Sequence, residues 1–239
     1  MFCLGTLINT AAIVIGGLAG TFFGKVLTPV RRDALNMACG VSVLFIGVAG
    51  AMEGMLSAEN GVIASGGSML LTLCLALGAL VGELINIEDR VERLGEWLKR
   101  KTGNGSDAGF VNAFVTASLT VCIGAMAVVG AIKDGLEGDY SILATKAVLD
   151  LVIIFVMTCS MGKGCAFSAI PVFVLEGGMT LLASLLKNVM TPLAMGYLSM
   201  IGSVLIFCVG VNLVWGKKVR VANLLPALIF AAAAACIPL

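Results

Sequence analysis

Three ionisable residues, Lys146, Asp150 and Glu176, lie inside stretches that are otherwise apolar. A charge at the centre of a membrane span costs about 2.5–3.5 kcal/mol on insertion scales, so such a residue is a candidate functional group by default. Two carboxylates and one ammonium can bind a cation, relay a proton or hold both ends of a zwitterion. Lys146 and Asp150 stand four apart, the spacing of a salt bridge on one helix face. Glu176 interrupts the run from Cys165 to Leu186, five residues after Pro171 and directly before Gly177-Gly178. Proline and paired glycine weaken a helix, and a weakened span lined by protein or water is how many transporters build a binding site.

The elements that must position these groups follow from composition. Of 239 residues, 59% are hydrophobic and 12% charged, about half the charged share of a soluble domain. With a mean hydropathy of +1.08, the chain reads as an all-α, polytopic transmembrane bundle whose first partner is the lipid bilayer. A helix crossing about 30 Å of hydrocarbon needs about 20 apolar residues. Eight stretches meet or approach that length: 4–24, 36–56, 62–86, 109–132, 142–160, 165–187, 194–215 and 221–238. The last is short and contains Pro238, so seven spans is the competing count. Met1-Phe2-Cys3-Leu4-Gly5 has no cationic n-region, so the first run is expected to stay in the membrane.

Charge placement orients the spans, because short cytoplasmic loops are enriched in Lys and Arg. With the N-terminus outside, twelve of the fifteen basic residues fall in cytoplasmic segments, which predicts both termini to be extracytoplasmic. Residues 87–101 repeat apolar positions at Ile87, Val91, Leu94 and Leu98, with Asp89/Arg93 and Glu96/Arg100 as i,i+4 pairs. This predicts a polar helix continuing from span 3, lying on the inner membrane surface or serving as a dimer contact. Thr102 to Asp107 then reads as a linker.

Ser42-Val43-Leu44 and Val48 match Ser203-Val204-Leu205 and Val209 at an offset of 161, which also puts Gly16-Gly17 on Gly177-Gly178. Spans 1–3 would thus correspond to spans 6–8. Five spans separate the related elements, an odd number, so the two units would be inverted with respect to each other.

The short turn Met161-Gly162-Lys163-Gly164 predicts that spans 5 and 6 form an antiparallel hairpin. Asp150 and Glu176 are then both about 19–20 Å from the turn, at one depth near the midplane. Two readings are open. Lys146 neutralises Asp150 while Glu176 stays protonated against a freed carbonyl, or the three groups line a hydrated cavity. Asn9, Thr10 and Ser168 are the hydrogen-bonding groups expected to complete such a cavity, with Asn112, Thr116, Ser118, Thr120, Asn212 and Asn223 as further polar residues in spans.

Other chemistries fit poorly. Histidine is absent, which removes the commonest metal ligand and the usual neutral-pH base, and no nucleophile–base pair for an enzyme is found. The eight cysteines are scattered singly without a CxxC pair and read as packing residues, so neither metal nor cofactor is expected. Lys133 to Asp139 lacks the alternating donors of an EF-hand loop and reads as a turn with a solvated acidic face. Only Asp150 is an aspartate within a span, against intramembrane aspartyl proteolysis. A formal net charge of +1 with no long basic tract offers nothing to nucleic acid.

Gly5-Thr6-Leu7-Ile8-Asn9, Cys122-Ile123-Gly124-Ala125-Met126-Ala127, Asp134-Gly135-Leu136 with Gly138-Asp139, Lys146 with Asp150, Phe167-Ser168-Ala169, and Asn223-Leu224-Leu225-Pro226-Ala227 together resemble one family. It is the YdfK/YqgA-like family of bacterial membrane proteins, domain of unknown function DUF 554, and the resemblance covers essentially the whole chain. It implies a single domain in the bacterial cytoplasmic membrane and leaves activity undefined. The family usually has proline where Ala125 stands and glutamine where Glu176 stands. The first departure removes the residue that would kink span 4, and the second favours hydrogen bonding over obligatory proton transfer.

The sequence therefore predicts one domain of two inverted three-span units, 1–86 and 165–239, around helix 87–101 and central spans 109–160, assembled as a homodimer. Its expected function is secondary transport or facilitated passage of a small polar solute such as an amino acid or organic ion, with proton or cation coupling. The alternative is a non-transporting scaffold or sensor that uses helix 87–101 as its partner surface.

Overall fold

A computed structural model of the chain describes residues 3–59, 62–105, 107–123, 125–183 and 191–235. Met1, Phe2, Ser106, Gly124, Leu186, Lys187, Cys236 and Pro238 lie outside them, as does the end of the eighth predicted span.

The order is α1 Leu4–Gly24, α2 Pro29–Met55, a hairpin of β1 Leu56–Glu59 and β2 Val62–Ser65, α3 Ser68–Ile85, α4 Ile87–Lys101, α5 Phe110–Cys122 and α6 Ala125–Glu137. Then follow α7 Ser141–Met161, a 3-10 turn Lys163–Ser168 leading into α8 Ala169–Leu181, α9 Pro192–Trp215, α10 Val221–Leu224 and α11 Pro226–Ala234. Among the described residues, six helices are long and apolar enough to cross a membrane, and α5 with α6, bent by 61°, brings the number to seven when the two are taken as one span. The eighth predicted stretch is two short helices, α10 and α11, interrupted before Pro226. The fold is the expected α-helical bundle, with one two-stranded hairpin added between α2 and α3.

Local chemistry explains the boundaries. Pro29 and Pro192 begin α2 and α9, where a missing N–H costs nothing, and Thr191 caps α9 by accepting from the Ala194 N–H at 3.2 Å. Gly162 and Gly216, with φ of 101° and 76°, end α7 and α9. Two expectations are corrected. Span 3 begins at Ser68 rather than 62, because Val62–Ser65 pairs as a strand before Gly66-Gly67 turns the chain, Gly67 at φ 75°. It also does not run on into α4: Asn86 at φ 54° breaks the helix, held by bonds from its Nδ2 to Asp89 Oδ2 (2.5 Å) and from Arg220 Nη2 to its Oδ1 (2.6 Å).

Small residues set the helix pairing, since in lipid close backbone approach replaces hydrophobic drive. Gly16, Gly20 and Gly24 of α1 face Leu151, Phe155 and Cys159 of α7, so these helices run parallel. Gly40, Gly47 and Gly54 of α2 face Val214, Phe207 and Met200 of α9, which is antiparallel. Gly78 and Gly82 of α3 meet Ala227 and Asn223, again antiparallel.

The directions fix what the broken pair does. Gly164 abuts Phe110 at the start of α5, while Gly135 near the end of α6 abuts Thr180 near the end of α8. Thus α5 and α6 together pass from one end of the bundle to the other. One end gathers Cys3, the β hairpin, Tyr140 and Leu181. The opposite, basic end gathers Gly24, Met161, Trp215 and α4, and with them twelve of the fifteen basic residues.

Candidate functional site: a buried charged centre beside a broken span

α5 ends because Ile123 turns to extended backbone, φ −88° and ψ 123°. Carbonyls in the last turn of a helix have no partner within it. One of them, that of Val121, accepts instead from Lys146 Nζ at 2.8 Å. Lys146 is in direct ion-pair contact with Asp150 one turn along α7, and its Nζ lies 3.5 Å from Glu176 Oε1 on α8. Asn9 Nδ2 of α1 donates to the same Oε1 at 2.9 Å. The Glu176 backbone carbonyl accepts from Thr180 Oγ1 at 2.9 Å. Four elements thereby converge on one centre, with Lys146, Asp150 and Glu176 exposed by 5%, 4% and 1%.

With both carboxylates ionised the cluster carries one net negative charge. It resides on Glu176, because Lys146 is already engaged by Asp150 and the Val121 carbonyl. Burying charge is tolerated when it is paired and hydrogen-bonded. Here the pairing is incomplete: Glu176 Oε2, Asn9 Oδ1 and Thr6 Oγ1 are buried without a hydrogen-bond partner.

Of the six residues named from sequence, Glu176, Asp150, Lys146 and Asn9 meet in this centre. Thr10 and Ser168 do not. Thr10 Oγ1 bonds to Thr6 O at 2.7 Å and Ser168 Oγ to Cys165 O at 2.7 Å, each within its own segment. The weak point of the fold is also elsewhere than expected. α8 passes unbroken through Glu176, Gly177 and Gly178, because Pro171 falls in its first turn, where a missing N–H is harmless. The break is in span 4, with Ala125 in place of the family's proline. α7 and α8 are not a packed hairpin either, since α8 takes its neighbours from α1, α5 and α6. Asp150 is about 14 Å into α7, close to the middle of that helix, and Lys146 about 8 Å in, one turn nearer the end that holds Cys3.

Sequence reasoning missed three features. The first is the Val121 carbonyl, whose signal was the β-branched Ile123 followed by Gly124. The second is Thr6, three residues from Asn9 and therefore on its face. The third is a cavity of 680 Å³ at the basic end, lined by Asn36, Glu88, Glu92, Asn112, Thr116, Asn212 and Lys217. It climbs α5 as far as Leu119, two residues short of Val121.

Ionic contacts frame that vestibule. Lys217 bridges the buried Glu88 at 2.7 Å and Glu92 at 2.5 Å, and Arg220 reaches Glu83 at 2.7 Å and Asp89 at 2.8 Å. Asn223 accepts from the Glu88 N–H at 2.8 Å and donates to Glu83 at 2.9 Å, tying α10 to α3 and α4. Burial alone would lower the pKa of Lys217, but the Glu88 and Glu92 carboxylates outweigh it and hold the ammonium above its ordinary range. Among the described residues, no group of three or more His, Cys, Asp or Glu is placed to hold a metal ion.

Comparison with known proteins places the chain in one family. Residues 4–236 match the family model described as a protein of unknown function, DUF554. The uncharacterized membrane protein YdfK of Bacillus subtilis (strain 168) is 27% identical over 225 residues, covering 94% of this chain and 92% of that protein. The uncharacterized protein YqgA of Escherichia coli (strain K12) is 27% identical over 235 residues, covering 95% and 94%. No solved structure matches the chain. With nearly every residue inside the family model and several spans apolar enough for the bilayer, the chain is a multi-pass membrane protein and belongs to the DUF554 family.

Proposed function

We propose that the protein is a secondary transporter or facilitator for a small polar solute, an amino acid or organic ion, working through the Lys146–Asp150–Glu176 centre. The observation that carries this is the position of the centre: incompletely paired charges lie against the free carbonyl of a span that is broken inside the bundle. Discontinuous helices with opposed half-helix ends are the usual frame for solute and ion sites in secondary transporters. The vestibule supplies an approach from the basic end, its lining reaching Leu119 on α5. By the distribution of Lys and Arg that end is cytoplasmic and both termini are external, in the bacterial inner membrane. The antiparallel α2–α9 and α3–α11 pairs suit an inverted repeat of spans 1–3 and 6–8, since such a repeat pairs each element with its counterpart reversed.

Proteoliposomes test this with a panel of radiolabelled amino acids and small organic acids. Wild-type protein is expected to accelerate entry of at least one, and Glu176→Ala and Asp150→Ala variants with unchanged melting behaviour to abolish it. Wild-type flux retained in both variants removes the centre from the mechanism.

A further inference from the structure

Three buried oxygens on adjoining stretches of α1 and α8 have no partner: Thr6 Oγ1, Asn9 Oδ1 and Glu176 Oε2, on residues exposed by 0%, 0% and 1%. Thr6 and Asn9 lie three apart on one face of α1. That face meets α8, because the Asn9 amide donates to Glu176 Oε1 at 2.9 Å and Thr6 Cγ2 would stand 3.7 Å from a Cβ on Gly177. Carboxylate and amide oxygens are acceptors only, so the pair cannot satisfy each other. Buried acceptors left unpaired cost about 1–3 kcal/mol each, which a hard cation would offset.

We propose that Thr6 Oγ1, Asn9 Oδ1 and Glu176 Oε2 coordinate a monovalent alkali cation. Three facts select that ligand class. The donors are all oxygen, which suits a hard ion. The uncompensated charge of the cluster is one, carried by Glu176, whereas divalent ions recruit several carboxylates. The C-terminal end of α5, with its negative dipole end and free carbonyls, faces the same centre through Val121, as broken-helix ends do at sodium sites of carriers. Lys146 does not occupy this position, since its ammonium is bound by Asp150 and the Val121 carbonyl and lies 3.5 Å from the other carboxylate oxygen, Oε1, leaving Oε2 without a partner. The inference deepens the transport reading and rests on the same centre: the ion is the coupling species, and its release leaves Glu176 free to pair more closely with Lys146.

Binding is read without flux, so the two ideas fail separately. The melting temperature of detergent-purified full-length protein is followed as choline chloride is exchanged for sodium, lithium or potassium chloride at constant ionic strength. A saturable rise with at least one alkali ion is expected, because a ligand of the native state stabilises by mass action. The rise should vanish in Glu176→Gln and Thr6→Val and persist in Thr6→Ser, which keeps the hydroxyl if the valine variant does not fold. Identical curves in all chlorides, or a rise undiminished in Glu176→Gln, overturn the site and assign the three oxygens to water or a proton. Saturable binding with no solute flux retains the cation and removes only the carrier.

Discussion

Lys146 donates to the backbone carbonyl of Val121 at 2.8 Å, so the charge at the heart of the bundle is held by the end of a broken helix. A side chain on α7 thereby senses whether α5 and α6 are bent. Straightening the pair would return the Val121 carbonyl to a helix ladder and release the ammonium. That couples the geometry of the span to the electrostatics of Asp150 and Glu176.

Lys146→Met leaves two buried carboxylates without their cation, and removing one partner of a buried pair costs about 3–5 kcal/mol. In the double variant Lys146→Met/Asp150→Leu most of that loss should be recovered, because a well-packed apolar pair is often as stable as a buried ionic one. Unfolding in mixed micelles measures both. Equal destabilisation of single and double variants would deny the Lys146–Asp150 coupling.

Glycine positions separate into two kinds. Any side chain at Gly20 or Gly47 would strike the backbone of Phe155 or Phe207, whereas Gly178 has nothing within 4 Å. Gly20→Leu and Gly47→Leu are each expected to cost about 1–3 kcal/mol or more from overpacking, and Gly178→Ala to be neutral or slightly stabilising. Loss of stability in Gly178→Ala as large as in Gly47→Leu would contradict the helix pairing.

Much of this arrangement was legible in the chain. Apolar lengths place α1, α2, α7 and α9, and the apolar repeat predicts α4 over the residues it occupies, Ile87–Lys101. The four residues that meet at the centre carry their signal as charge or amide in an apolar run. What stayed hidden depends on tertiary context. The weakness conferred by Pro171 is cancelled by its position in the first turn and α8 continues through Gly177-Gly178, while the break at Ile123 needs no proline. Asp134 was read as part of a solvated acidic turn, but it is 2% exposed and its Oδ2 accepts from the Gly5 N–H at 3.0 Å. A bond across 129 positions leaves no trace in local spacing.

That bond caps the first turn of α1 from another helix. Asp134→Ala should cost about 1 kcal/mol, as loss of a capping oxygen does elsewhere. It should also speed amide exchange in the first turn of α1, measured by mass spectrometry, relative to the middle of the helix. Unchanged exchange at residues 5–8 would mean that Asp134 does not hold this end.

The vestibule mouth has its own pH dependence. The Lys217 pKa is raised over its unfolded value, so its pairing with Glu88 and Glu92 contributes fully below about pH 10.4 and is lost as pH climbs through the higher folded value. Trp97 on α4 reports the event, and its emission should shift in alkali in wild type, whereas Lys217→Ala, which lacks the titrating ammonium, should show the shifted emission already at neutral pH. Superimposable curves would show that Lys217 does not anchor α4.

The most direct measurement is the water access of the centre. In a background without native cysteines, Asp150→Cys is probed with a cationic methanethiosulfonate reagent in right-side-out and inverted vesicles, with Asn112→Cys in the vestibule as reference. A carrier requires Asp150→Cys to react from at least one side, at a rate that changes with solute or cation. Failure of Asp150→Cys to react from either side, while Asn112→Cys labels readily, would contradict transport through this centre.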